Sequence, residues 1–297
     1  MTNEAVILTH ALSKSYGRGE AVRGLNLSVG RNCITAFLGR NGAGKSTTIK
    51  MLLGMIRPTA GSGTVLGKRI TDAEANRQMR QRVAYVAEDK PLYSYMTVEQ
   101  TINFARSFYS DWRIDVEKKL LLDFELPANR KVKSLSKGMR TKLALLLAFA
   151  RHPELLILDE PSEGLDPVGI EYLLRTLVSC SAEGVSVFFS SHQIAEVERV
   201  ADHICILEKG CLLMDASVDQ VRQSYRRIDM VFPAPPPEHE FRILGVETIK
   251  TAGRQMSIFA SRNAEAVVER AQDLSAVSVE VAPVSLRDVF LETVREN

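Results

Sequence analysis

Residues Gly39 to Thr47 read G-R-N-G-A-G-K-S-T and join two segments of different habit. The preceding Ile34-Thr35-Ala36-Phe37-Leu38 is mostly apolar and suits a buried strand, whereas Thr48 to Leu53 continues as helix. A strand, a G-x-x-x-x-G-K-S loop and a helix in that order form a phosphate-binding loop. Glycines without a Cβ let successive backbone N–H groups converge on an anion, and the helix N-terminus adds partial positive charge. Gly39, Asn41, Gly42, Ala43 and Gly44 therefore form the expected cradle. Lys45 is the expected cation for the outer phosphates and Ser46 the expected hydroxyl ligand of Mg²⁺.

Around this loop, apolar strands and helical stretches alternate. Strands are expected at Val6–His10, Leu25–Val29, Thr64–Gly67, Arg82–Val86, Leu155–Leu158, Val185–Phe189, His203–Leu207 and Cys211–Met214. Helices are expected at Asp72–Gln81, Gly169–Cys180, with Leu173, Leu174, Leu177 and Val178 on one side, and Gln193–Ala201. Such alternation predicts an α/β core with a largely parallel sheet covered on both faces, beside a small antiparallel β region near the N-terminus. From about residue 92 to 151 the texture is helical: Thr97 is placed as an N-cap, and helices follow near 116–124 and 137–151. Beyond residue 220 it changes again. Pro233-Ala234-Pro235-Pro236-Pro237 suits an extended connection. It leads to strands at Arg242–Ile249, Gln255–Ala260 and Val277–Val281 and helices at Ala264–Leu274 and Leu286–Glu296. The domains expected are 1–220, containing the helical insert, and a small α+β appendage at 221–297.

Composition narrows the functional classes. With 297 residues, 45% hydrophobic and 25% charged, the chain has the balance of a globular protein. A net charge of +2 offers no electrostatic footprint for nucleic acid, and none is expected as a partner. Cys33, Cys180, Cys205 and Cys211 lack C-x-x-C spacing, which suggests free thiols in a reducing compartment and no metal site. Met1 to Glu4 does not open a signal peptide, and the longest apolar run, Leu143 to Ala150, falls short of the roughly 20 residues that span a bilayer. Any membrane path is therefore expected in a separate subunit.

More chemistry is expected at the carboxyl edge of the sheet, where open α/β folds bind ligands. Asp159 ends an apolar strand and can hold Mg²⁺ opposite Ser46. Glu160 follows and can polarise an attacking water; the alternative is an acid pair that caps a helix. His192 ends another strand and can sense a terminal phosphate, or serve as an ordinary structural histidine. Tyr16 is either a stacking platform for a purine or a packing residue at a strand end. In Leu135-Ser136-Lys137-Gly138-Met139, Ser136 is an N-cap, and a hydroxyl, a glycine and a helix N-terminus together also make a second anion site. One chain already has its phosphate loop, so a second such site points to a nucleotide shared between two protomers.

In order, Tyr16, the loop Gly39–Ser46, the break at Glu88, Leu135–Met139, Leu155–Glu160, Ser162-Glu163-Gly164-Leu165-Asp166 and His192 resemble the ATP-binding cassette family, over residues 5 to about 220. The resemblance implies an ABC-type P-loop NTPase core with antiparallel β and helical subdomains, binding ATP and Mg²⁺. It implies that Tyr16 stacks on adenine and that Lys45, Ser46 and Thr47 hold phosphates and Mg²⁺. It further makes Glu160 the general base, His192 the γ-phosphate switch and Glu88 a further Mg²⁺ ligand. Ser136 and Gly138 would contact the partner protomer's ATP, and Asp166 would cross the interface of a homodimer or a heterodimer with a related subunit. A separate transmembrane permease and a cytoplasmic place against the membrane's inner face complete the expectation. Three departures stand out: Glu88 replaces the usual glutamine, L-S-K-G-M replaces L-S-G-G-Q, and Glu163 replaces a small or polar residue. The L-S-K-G-M form, Pro91-Leu92-Tyr93 and Ser285 to Leu291 resemble bacterial cassettes paired with ABC-2-type exporter permeases for antimicrobial peptides, drugs or envelope compounds. The alternative is a soluble non-transport or regulatory ATPase of the same family. A chromosome-type ATPase is disfavoured, because the roughly 90 residues between loop and signature carry no sustained heptads.

Overall fold

The computed structural model describes residues 5–17 and 19–295. Met1 to Glu4, read above for a signal sequence, and Glu296, the expected end of the last helix, lie outside them. The chain forms two compact units, 1–215 and 216–297.

In the first unit, β1 (Ile7–Tyr16), β2 (Gly19–Leu25) and β3 (Ser28–Val29) precede β4 (Ile34–Leu38) and α1 (Lys45–Leu52). The chain continues through β5 (Ala60–Val65), β6 (Lys68–Arg69), α2 (Ala73–Arg82) and β7 (Val83–Val86). Helices α3 (Val98–Arg106), α4 (Ile114–Asp123) and α5 (Lys137–Phe149) then follow one another without an intervening strand. The remaining elements are β8 (Leu155–Asp159), α6 (Pro167–Ala182), β9 (Ser186–Ser191), α7 (Ile194–Val200), β10 (His203–Glu208) and β11 (Cys211–Ser217).

Strands β11-β10-β4-β9-β8-β7 form one sheet, and the pairs from β10 through β7 are parallel. Every residue of β4, β8 and β9 is buried, which explains why they read as near-continuous apolar runs rather than alternating ones. Parallel order places the ends Leu38, Asp159 and Ser191 along one edge, and the chemistry-bearing residues follow directly from those ends. A second, antiparallel sheet runs β2-β1-β5-β6, with β3 paired to β1. Its apolar side joins a core with α1 through Val22, Leu25, Ile49 and Leu52.

Local details refine the sequence reading. The segment around Tyr16 is strand, because a bulge with Ala11 at φ 47° lets β1 continue past His10. Thr97 caps α3 in a reciprocal capping box with Gln100, and Asp166 caps α6 just before Pro167. Leu173, Leu174 and Leu177 of α6 are buried as expected, but Val178 turns 48% of its surface to solvent at the margin of that stripe. Among the described residues, no helix is long and apolar enough to cross a membrane.

The second unit contains α8 (Val218–Ser224), β12 (Arg226–Val231), β13 (Val246–Ala252), β14 (Gln255–Ala260), α9 (Ala264–Asp273), β15 (Ser278–Pro283) and α10 (Leu286–Arg295). Its antiparallel sheet runs β13-β14-β12-β15 over a core that includes Ile228, Met230, Phe241, Ile258 and Val267. The strand expected from Arg242 starts four residues later, because Gly245 at φ 96° turns the chain first. A Cβ on Gly245 would also lie 2.8 Å from that of Arg262. Helix α8 was absent from the sequence reading, although Ser217 and Gln220 form a capping box that marks its start.

Candidate functional site

The loop between β4 and α1 has the shape its glycines permit. Gly42 and Gly44 hold φ of 84° and 109°, a region that L side chains rarely adopt. A Cβ on Gly44 would lie 2.4 Å from the Ala21 carbonyl oxygen, and one on Gly39 would lie 2.5 Å from that of Leu207. Asn41 and Gly42 are exposed, while Ala43 is buried and its carbonyl accepts from the Gly210 amide. The curl is locked at Thr48, whose hydroxyl donates to the Gly44 carbonyl at 3.0 Å. It leads into the N-terminus of an eight-residue helix. Such a loop, opening a helix N-terminus, is a backbone cradle suited to an anion such as phosphate.

Lys45 is 6% exposed and fully engaged. Its ammonium donates to the Gly39 carbonyl at 2.8 Å and the Arg40 carbonyl at 3.4 Å, and lies 3.2 Å from Glu160 Oε1. Glu160 Oε2 meets His192 Nδ1 at 2.9 Å. Three of the expected residues, from α1, the end of β8 and the end of β9, thus form one connected chain. Glu160 adopts φ 48°, a conformation that costs a non-glycine residue roughly 1–3 kcal/mol. The surrounding bonds hold it there.

Ser190, which sequence reasoning missed, supplies two of those bonds. Its hydroxyl donates to Asp159 Oδ1 at 2.6 Å and accepts from the Glu160 amide at 3.0 Å. One buried serine therefore fixes both acids. Its place on β9, one residue before the strand's end and two before His192, was the available signal. Lys90 was also missed. It is buried, its ammonium reaches the Glu160 carbonyl at 3.4 Å, and burial lowers its pKa.

Ser46, Glu88 and Asp159 line one open cleft of about 680 Å³, together with Lys90, Lys137 and Glu163. A hydroxyl and two carboxylates make an all-oxygen donor set that fits a hard divalent cation such as Mg²⁺. Glu88 stands exposed in the turn after β7, and Thr47 is half-buried on the first turn of α1. Tyr16 lies apart from this cluster, at the end of β1. It is 54% exposed, with the Lys14 ammonium 5.1 Å from its ring centre.

Ser136 is exposed and caps α5, accepting from the Met139 amide at 3.1 Å. Gly138 packs against the turn before α6 so closely that a Cβ would sit 2.5 Å from the Gly164 carbonyl oxygen. Lys137 pairs with Glu163 across the same contact, which depresses the pKa of the Glu163 carboxyl through that hydrogen bond. Two of the three departures from the family pattern are therefore partners of each other. Further along, Glu196 on α7 is buried, and the lost solvation raises its pKa.

Comparison with known proteins gives the chain its relatives. Residues 22–163 match the family model described as ABC transporter. An uncharacterized ABC transporter ATP-binding protein of Synechocystis sp. is 30% identical, over 98% of this chain and 85% of the relative. The bacitracin transport ATP-binding protein BcrA of Bacillus licheniformis is 34% identical, over 75% of this chain and 73% of that protein. A solved structure described as the ATP binding subunit of an ABC transporter superposes with a TM-score of 0.67 at 32% identity. That match covers 73% of this chain and 92% of the other.

Proposed function

This chain belongs to the family of ABC transporter ATP-binding proteins, and from that premise we propose that its ATP hydrolysis drives an exporter through a separate membrane permease. The observation that carries the chemical part is the linked Lys45–Glu160–His192 arrangement beside a glycine cradle. The triphosphate of ATP lies along the Gly39–Gly44 loop, with Thr47 contributing and Tyr16 stacking on the adenine. Its negative charge draws the Lys45 ammonium away from Glu160. The freed carboxylate then accepts a proton from a water that attacks the γ-phosphorus. The bond from that phosphorus to the β–γ bridging oxygen breaks, leaving ADP and inorganic phosphate. His192, already bonded to Glu160, orients this group and the departing phosphate. Ser46, Asp159 and Glu88 would hold Mg²⁺, which when bound neutralises developing phosphate charge.

Two protomers complete the site. Ser136 and Gly138 lie at the N-terminus of α5, where backbone N–H groups favour an anion. The second protomer's nucleotide is their ligand, with Asp166 at the interface; the partner is a second copy or a related subunit. The permease has a surface to meet. Tyr95, Tyr93, Phe104 and Phe108 form a contiguous aromatic ladder with ring centres 5.1–5.8 Å apart, all more than two-fifths exposed. It borders an apolar groove of about 360 Å³ that also includes Met55 and Leu147. An exposed aromatic patch of this kind marks an interaction site, and an amphipathic helix of the permease fits it. Export is supported by the likeness to bacitracin transport proteins and by the sequence features shared with exporter-paired cassettes. The work is placed at the cytoplasmic face of the membrane.

Glu160→Gln tests the scheme. The variant should bind ATP normally, lose about 10²–10⁴-fold in turnover and accumulate as an ATP-dependent dimer in light scattering. Turnover equal to wild type, with no dimer, would point instead to a regulatory cassette.

A further inference from the structure

Away from the phosphate edge, three different donor types converge near the start of β10. His203 and Cys205 are two residues apart on that strand, so their side chains share a face. Asp215 approaches from β11. His203 Nε2 hydrogen-bonds Asp215 Oδ1, and Cys205 Sγ donates to the same oxygen at 3.6 Å. One nitrogen, one sulfur and one oxygen thus all lie within 4.8 Å of one another. Cys205 is fully buried, while the side chains of His203 and Asp215 keep 29% and 33% of their exposure. The cluster is closed from below and open to solvent on one side.

We infer that His203, Cys205 and Asp215 form a binding site for a single divalent transition-metal ion of the zinc class. A thiolate and a carboxylate around a neutral imidazole carry two negative charges, which one dication balances. The metal displaces the thiol proton to solvent as it binds. The thiolate and imidazole favour Zn²⁺ over Mg²⁺ or Ca²⁺, which prefer all-oxygen sets. Metal–ligand bonds of about 2.0–2.3 Å are reached from the observed spacing by small side-chain movements, chiefly a parting of His203 from Asp215. Three protein ligands leave a fourth, solvent-facing position for an exchangeable water. His203 pairs with Thr35 near the start of β4, at the opposite end of that strand from the phosphate loop. The site is therefore separate from the Ser46, Asp159 and Glu88 cleft. Bound metal clips β11 to β10 inside the first unit.

The experiment uses the full chain, stripped with chelator and held in excess Mg²⁺. Co²⁺ is titrated in as a spectroscopic probe, and Zn²⁺ is measured by competition with an indicator dye. The expected result is one equivalent of Co²⁺ with a thiolate-to-cobalt absorption band in the near ultraviolet. Cys205→Ser should abolish that band, and His203→Gln and Asp215→Asn should each weaken Zn²⁺ binding by at least about tenfold. Asp215→Asn is partly exposed and keeps the test valid if the buried Cys205→Ser variant fails to fold, as judged by circular dichroism. A band that survives Cys205→Ser would assign the metal to another thiol and overturn the inference. So would the absence of stoichiometric binding, or equal affinity in wild type, His203→Gln and Asp215→Asn. The His203–Asp215 bond would then be only a tie between strands.

Discussion

The ammonium of Lys137, the first residue of α5, pairs with Oε1 of Glu163 in the turn before α6, 26 residues further along the chain. Each residue alone looks like a departure from the family's usual pattern. Together they are a complementary substitution: a lysine where glycine is usual, and an acid placed to meet it. The pair fastens the N-terminus of α5 to the loop after Glu160, so the proposed second anion site and the proposed general base share a mechanical link.

Lys137→Ala and Glu163→Ala should act on turnover as one unit. Both side chains are partly exposed, so each substitution should change stability by less than about 1 kcal/mol in urea titrations. In a double-mutant cycle on steady-state ATP hydrolysis, the double variant should match either single variant rather than the product of their effects. Full additivity would show that the two residues act independently.

Gly138→Ala should be costly despite its small size. The new methyl group meets the Gly164 carbonyl oxygen at 2.5 Å, which is backbone and cannot swing aside. We expect about 1–3 kcal/mol of destabilisation by urea unfolding, from overpacking. Arg140→Ala, at an exposed position of the same helix, is the control and should fall within about 0.5 kcal/mol of wild type.

Ser190→Ala strips two buried partners at once. Asp159 Oδ1 loses its donor and the Glu160 amide its acceptor. The expected cost is about 1–3 kcal/mol of stability, with kcat reduced by more than about tenfold because Glu160 is released from its left-handed backbone conformation. The KM for ATP should change much less, since the phosphate loop is untouched. Unchanged kcat would leave Ser190 a packing residue only.

Glu196 should make the fold less stable as pH rises. Burial raises its folded-state pKa above the ordinary carboxylate range, so the native state holds the proton longer than the unfolded chain. Its contribution is fully present below the unfolded pKa and is lost as pH climbs through the raised folded value. Glu196→Gln mimics the protonated form. Its urea midpoint should exceed that of wild type at pH 8, and the difference should vanish near pH 4. Equal midpoints at both pH values would refute this account.

The sequence alone determined what contiguous residues encode. Gly39 to Thr47 announced the phosphate cradle because its function lies in the backbone, and only particular residue types at fixed spacing allow that backbone. Asp159, Glu160 and His192 were legible because an apolar strand must end somewhere, and in a parallel sheet those ends share an edge. The continuation of β1 from His10 to Tyr16 was not legible, since a bulge at Ala11 restores pairing that residue patterning cannot show. The tertiary structure decided which distant groups touch: Ser190 with both acids, Gly138 with Gly164, Lys137 with Glu163, and His203 with Asp215. Partners 12 to 31 residues apart are set by sheet order and helix packing. A hydrogen bond or ion pair needs its atoms within a few tenths of an ångström, and only the packed core supplies that precision.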